Sequence, residues 1–337
     1  MMDVFDVHGV ILQLIGKDRR FLEFVRSHYS FFLSNKKDID IKVDFQGILP
    51  FYKQKKTSST GYKRWGSDVY ISSNALLIQN SRKNVYIHFD RIINLQALYY
   101  LRPDQTIRQI LPGYLSPIYK LYQVIMREIV HFPIFYKLER KGIYLMHASA
   151  VERDGRGVVF SGLNGSGKST LSIYLVLNHG FKYISDNFLL FDNRRIFCFP
   201  EVIRVAPADL TRLGIEEKGR IVYGKYQILP PDERISMSVF PEFFFLTCIG
   251  ERFELSSITE EEFVKKVMGF HNYLKEFHWH SFMGLYRMFD RGEFSFKLYE
   301  EKLRSLVKGK KIYELTLPYN ETLEHTARRL EDAVFNS

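Results

Sequence analysis

The chain has 337 residues, 46% of them hydrophobic and 26% charged, a composition that fits a folded globular protein and excludes a disordered or fibrous one. Its apolar runs, such as Phe243 to Ile249 and Leu171 to Leu177, fall short of the ~20 residues that cross a bilayer, and no charged-then-apolar leader opens it. A cytoplasmic protein with no membrane partner is therefore expected.

The net charge of +10 is uneven: residues 1 to 140 hold 21 Lys and Arg against 12 Asp and Glu, leaving 27 against 26 for the remainder. Such a basic part can attract an acidic peptide, a phosphorylated substrate or nucleic acid. No Arg-rich helix or interleaved aromatic motif marks a nucleic-acid face, so a solvated surface is the simpler reading. The two cysteines, Cys198 and Cys248, lie in apolar aromatic stretches and read as buried reduced thiols.

In chain order, alternation predicts strands through Val4, Val7, Val10, Leu12 and Leu14, then Ile39 to Phe45, Val69 to Ile71, Leu76 to Ile78, and Val85 to Phe89. The polar run Lys53 to Gly61 reads as an exposed, mobile loop. Helical spacing covers Phe21 to Leu33 and Ser116 to Arg140, with Pro133 expected to kink or end the second helix. The boundary falls near Lys141, giving a β-rich module over 1–140 and a second domain over 141–337.

From Gly142 the pattern becomes α/β. Short strands are predicted at Ile143 to Ala150, Gly157 to Ser161, Tyr183 to Ile184 and Phe188 to Phe191, with one helix at Ser169 to Asn178. Aromatic-rich helical stretches follow around Thr259 to Met288, then a strand at Ile312 to Leu317. A last helix, Asn320 to Val334, repeats Leu323, Thr326, Ala327 and Leu330 at helical spacing and reads as a cover on the core. His271, His278 and His280 have no carboxylate or cysteine at ligand spacing and read as core packing.

Gly162-Leu163-Asn164-Gly165-Ser166-Gly167-Lys168-Ser169 fits G-x-x-x-x-G-K-[ST] in full, after a strand and before a helix. Glycines let successive backbone N–H groups turn inward on phosphate oxygens, and the following helix adds the positive end of its dipole. Lys168 is expected to reach the terminal phosphates of ATP, and the Ser169 hydroxyl to help hold Mg²⁺. Upstream, Asp154-Gly155 predicts a tight hairpin turn leading into the loop strand. Downstream, Asp186 stands 18 residues after Lys168, where an acid can face the metal.

His147-Ala-Ser-Ala-Val151, the Asp-Gly turn, Ser161 to Thr170, and Ser185-Asp186-Asn187 together resemble the catalytic domain of the HPr kinase/phosphorylase family. The resemblance covers roughly residues 140 to 210. It implies an α/β fold with α+β character: a P-loop core like those of HPr kinase and phosphoenolpyruvate carboxykinase, a β-rich N-terminal module and C-terminal helices. It also implies phosphorylation of a hydroxyl, most often serine, and makes a homo-oligomer plausible.

Carried over, the resemblance makes Gly162, Asn164, Gly165, Ser166, Gly167, Lys168, Ser169 and Thr170 the nucleotide-binding set. Lys168, Asp186 and His147 become catalytic candidates. Glu201 is implied to join Ser169 and Asp186 around Mg²⁺, and Arg204 to stabilise γ-phosphate charge. Asn187 stands where the family has a second acid.

The expected function is a Mg·ATP-dependent kinase acting on a hydroxyl of a peptide, protein or small metabolite. Two alternatives stay open: a nucleotide-binding regulatory protein with little transfer, and a P-loop NTPase acting on a partner.

Overall fold

The structure is a computed structural model. It describes residues 2–50, 61–64, 68–80, 82–101, 117–199, 203–205, 209–210, 213–214, 220–222, 225–228, 232–270 and 295–335. These fall into two compact units, one ending at Lys141 and the other starting at Gly142. Residues 53–60 of the polar run, Glu201, and the three histidines 271, 278 and 280 lie outside the described residues.

In the first unit, β1 (Met2–Val7), β2 (Val10–Gly16), β3 (Ile41–Pro50), β4 (Lys63–Arg64), β5 (Val69–Ile71), β6 (Ala75–Gln79), β7 (Lys83–Phe89) and β8 (Ile93–Leu101) form a sheet in the order β1-β2-β3-β8-β7-β6-β5-β4. The apolar alternation from Val4 to Leu14, written as one stretch in the sequence, is a hairpin. His8 and Gly9 take φ of 50° and 85° and turn the chain in two residues, the conformation whose twist matches that of the flanking strands. Helix α1 (Arg19–His28) is capped by Asp18, whose side chain accepts from Phe21 N at 3.1 Å.

The segment expected to kink or end at Pro133 stays helical through an irregular turn. Helix α2 (Pro117–Met126) runs into a π-helical turn, Arg127–His131, and then into α3 (Phe132–Arg140). A proline ring collides with the carbonyl four residues back and supplies no N–H. The wider π turn ahead of Pro133 absorbs both problems without ending the helix. Within that turn the buried Glu128 accepts from Lys83 Nζ and from Tyr99 OH, both at 2.6 Å.

In the second unit the strands are β9 (Tyr144–Met146), β10 (Ala148–Arg153), β11 (Arg156–Ser161), β12 (Lys182–Ser185), β13 (Leu189–Phe191), β14 (Ile196–Phe197), β15 (Ile203–Val205), β16 (Arg220–Val222), β17 (Lys225–Ile228), β18 (Ser238–Gly250), β19 (Glu254–Ser257) and β20 (Lys311–Pro318). The main sheet runs β12-β10-β11-β18-β14-β13-β9, with β20 added beside β18 and β19 beside β20; β15, β17 and β16 form a small separate sheet. The thirteen-residue β18 is the hub, pairing with β14 at its start, β11 at its middle and β20 toward its end.

Both faces of this sheet are covered. On one side Val151, Val158, Phe160, Phe243, Phe245 and Leu315 pack under α4 (Lys168–Asn178) and, through Ala327, Leu330 and Val334, under α7 (Leu323–Phe335). On the other, Ala148, Ala150, Val159, Phe244 and Leu246 pack under α5 (Glu260–Phe270) and α6 (Phe296–Val307). Phe160, Phe245 and Tyr313 stack across the adjacent strands β11, β18 and β20, with ring centroids 5.4 and 5.5 Å apart. Each such pair adds about 0.5–1.5 kcal/mol beyond the area it buries. This is a mixed α/β architecture with large β-sheets.

Neither cysteine forms a disulfide, and only Cys198 is buried. Cys248 is half-buried near the end of β18, its Sγ 3.4 Å from Thr316 Oγ1, because the strand there is emerging from the core.

Candidate functional site

The loop from Gly162 to Gly167 leaves β11 and enters α4 at the carboxyl ends of the parallel strands β11, β18 and β20, the end where ligands sit in open α/β sheets. Its approach is set by the β10–β11 hairpin. Asp154 and Gly155 turn at φ of 52° and 76°, and the ladder runs from Arg153 opposite Arg156 to Ala148 opposite Ser161. β11 is therefore antiparallel to β10 on one side and parallel to β18 on the other.

Gly162, Gly165 and Gly167 take φ of 151°, 82° and 87°, a backbone region that disfavours a side chain at all three, and at Gly162 backbone also fills the space one would need. A Cβ on Gly162 would meet Thr247 O at 2.5 Å, and one on Gly167 would meet Leu317 Cδ1 at 2.6 Å. Gly167 is the N-cap of α4, with its carbonyl accepting from Leu171 N at 2.9 Å. Thr247 on β18 holds the loop from below. Its hydroxyl donates to Ser161 O at 3.2 Å and lies 2.8 Å from Ser166 Oγ.

Lys168, 5% exposed, curls over the loop and donates to Gly162 O at 2.9 Å and Leu163 O at 2.8 Å, with Ser166 Oγ at 3.4 Å. Burial pulls its amine from 10.5 to about 8, and the nearby Asp186 carboxylate only partly offsets this. The amine is held among neutral oxygens in a site that favours more negative charge than the protein supplies.

Asp186 follows β12 and accepts from Ser169 Oγ at 2.7 Å, so the first turn of α4 and the end of β12 are tied together. Asn187 has φ of 68°, and Phe188 N donates to Asp186 O at 2.8 Å, which makes a three-residue γ-turn. Asparagine tolerates that left-handed region better than most residues. Ser185, fully buried, fixes the turn with a hydroxyl that shares its one proton between Phe188 O at 2.5 Å and Phe199 O at 2.8 Å.

His147 sits between β9 and β10, where the chain changes pairing partner from β13 to β12 and β11. Its Nδ1 is 3.2 Å from Asn187 O and its Nε2 3.0 Å from Asn164 Oδ1. Burial, then the Lys168 charge, hold its pKa below the usual histidine value, so the ring is neutral at pH 7. A carbonyl only accepts, so the proton sits on Nδ1 and Nε2 is the acceptor, satisfied when the Asn164 amide presents its nitrogen.

The structure thus brings together Lys168, Ser169, Asp186, His147, Asn164, Ser166 and the loop glycines, with Thr170 in the first turn of α4. Arg204 lies on β15, its backbone paired with Gln227 of β17. The sequence reading missed Thr247. It lies 81 residues from Ser166 and its place is fixed only by parallel strand pairing, so no local spacing announces it.

A hydroxyl and a carboxylate side by side suit a hard divalent cation. Mg²⁺ takes one or two protein oxygens and completes its octahedron with water and phosphate. Among the described residues no group of three or more His, Cys, Asp or Glu could hold a metal ion without such help. No helix of the described residues is long and apolar enough to cross a membrane.

No protein-family model matches the chain, and no curated protein matches it. Among solved structures it is similar to the Hpr(Ser) kinase/phosphatase from Coxiella burnetii, at 13% identity over 57% of this chain and 99% of that one, with a TM-score of 0.28. A likeness of that size leaves function to be argued from the residues.

Proposed function

We propose that the chain is a Mg·ATP-dependent kinase that phosphorylates a hydroxyl, serine first among candidates, of a peptide, protein or small metabolite. One observation carries the reading: the buried Lys168 amine over a glycine loop, with the Ser169–Asp186 pair 2.7 Å apart at the start of the helix that follows. Bound Mg·ATP would supply the transferable phosphoryl group and the cation that neutralises its charge.

The chain's own residues divide the remaining work. Lys168 exchanges the carbonyls of Gly162 and Leu163 for phosphate oxygens, while backbone N–H groups of the loop, from Gly162 through Thr170, cradle the rest. Ser169 and Asp186 present their oxygens to the cation. The substrate hydroxyl proton goes to Asp186 or to His147 Nε2, the neutral ring nitrogen that can accept it. The first unit, with its basic excess, would recognise the substrate or regulate the second unit.

The test is transfer of labelled γ-phosphate from ATP to a serine-bearing peptide pool and to free serine, with Mg²⁺, by wild type, Lys168→Ala and Asp186→Ala. Product that needs both residues supports the kinase. The amide at Asn187 in place of a second acid favours a second reading, a nucleotide-binding regulator. Tight ATP binding without product from any offered hydroxyl would support that one instead.

A further inference from the structure

Two neighbouring parallel strands, β18 beside the loop strand and β20 beyond it, end at large exposed side chains. On β18, Phe243, Phe245, Thr247 and Ile249 alternate onto the α4 face; on β20, Tyr313, Leu315 and Leu317 do the same. The first members of each stripe are covered by α4 and α7. The last are not: Ile249 is 49% exposed and Tyr319, just past β20, is 62% exposed. The pairing continues to that point, with Ile249 opposite Leu317 and Tyr319 N donating to Gly250 O at 3.1 Å. The shelf also abuts the loop. The two side-chain atoms nearest a Cβ built on Gly167 are Leu317 Cδ1 at 2.6 Å and Ile249 Cδ1 at 3.3 Å.

From this we infer that Tyr319 and Ile249 form the platform for the purine base of the nucleotide, an inference that rests on the nucleotide reading above. A nucleotide whose phosphates lie in the loop has its base extending outward over the carboxyl ends of the neighbouring parallel strands. Here Ile249 lies beside the α4 N-cap, and the exposed Tyr319 follows β20 with its backbone N–H bonded to Gly250 O, the residue after Ile249. A pair of side chains falls far below the ~1,200 Å² that a stable protein interface buries, yet it suits one flat heterocycle. An aromatic ring accepts any base by stacking, so the platform supplies affinity while leaving the choice of base to other groups.

The test separates base from phosphate. Binding of Mg·ATP and of Mg·tripolyphosphate is measured by titration calorimetry for wild type, Tyr319→Ala, Tyr319→Trp and Ile249→Ser. The expected result is that Tyr319→Ala weakens ATP by about tenfold while tripolyphosphate binds as to wild type, with Tyr319→Trp retaining ATP affinity. Unchanged ATP affinity in both Tyr319→Ala and Ile249→Ser would overturn the platform while leaving the phosphate reading intact. Equal weakening of both ligands would also overturn it, since the residues would then be acting on the loop. Wild type that binds neither ligand would overturn the nucleotide reading and the platform with it.

Discussion

The Ser169 hydroxyl donates to Asp186 Oδ1 across 2.7 Å, joining the helix that follows the glycine loop to the strand that returns beside the β10–β11 hairpin. The bond holds two hard oxygens in register and occupies one carboxylate lone pair until a cation competes for it. Replacing Asp186 with Asn preserves shape and removes the charge. Asp186→Asn is expected to lower the transfer rate by about 10²-fold or more at saturating ATP, with Ser169→Ala milder. Initial rates over a Mg²⁺ titration check this; an Asp186→Asn protein at wild-type rate removes Asp186 from the chemistry.

Lys168 gives a proton-linked signature. With its amine at about 8, close to half of the molecules carry that proton at pH 8, and phosphate oxygens in the loop would restore the ordinary value. Nucleotide binding should then take up about half a proton at pH 8 and almost none at pH 6. Calorimetry in two buffers of different ionisation enthalpy reads this directly, and Lys168→Met should abolish it.

The same shift has a stability consequence whose sign is fixed. The folded value lies below the unfolded one, so between about pH 8 and about pH 10.5 the unfolded chain binds more protons at this group. Its contribution is therefore unfavourable below pH 8 and is relieved as pH rises through that window. Denaturant midpoints of ligand-free wild type, compared with Lys168→Met at pH 7.5 and pH 10, should show the gap between the two proteins changing in favour of wild type at the higher pH.

Asn187 is constrained by its backbone more than by its side chain. Asn187→Ala should cost about 1–2 kcal/mol, because alanine at φ of 68° is strained, and Asn187→Gly should cost less. Asn187→Asp is accepted by the same backbone and adds a second carboxylate beside Asp186. If a single acid limits transfer, that variant gains rate with little change in its urea midpoint.

Thr247 links β18 to the loop. Thr247→Val keeps the volume and removes the hydroxyl that pairs with Ser166 Oγ and Ser161 O, at a cost of about 0.5–1.5 kcal/mol; Thr247→Ser keeps the hydroxyl and should stay near wild type. Equal midpoints for the valine and serine variants would show that the hydroxyl contributes nothing.

What the sequence announced was local. The glycine pattern, the Asp154-Gly155 turn and the alternation of β10 and β11 lie within a few residues of one another, where φ preference and strand periodicity act directly. What it concealed was assembled by pairing over long separations. The hub role of β18, the Thr247 support and the shelf at Ile249 and Tyr319 depend on which strands become neighbours. Short β4 and β14 carry too few residues to show a period, and the π turn before Pro133 is a repair that propensity does not encode. His147 was visible as a residue type, but its neutral state depends on its burial in the folded chain and on the Lys168 charge, neither of which local spacing announces.

The β10–β11 hairpin also orders events in time. Its two strands are joined by a two-residue turn and can zip together in about 1–10 μs, well before β18 can be recruited across a loop of some eighty residues. Until β18 arrives, nothing holds Ser166 from below and the glycine loop has no fixed shape. The loop therefore takes its shape after the hairpin does, so a refolding experiment followed by nucleotide binding should lag one followed by strand formation.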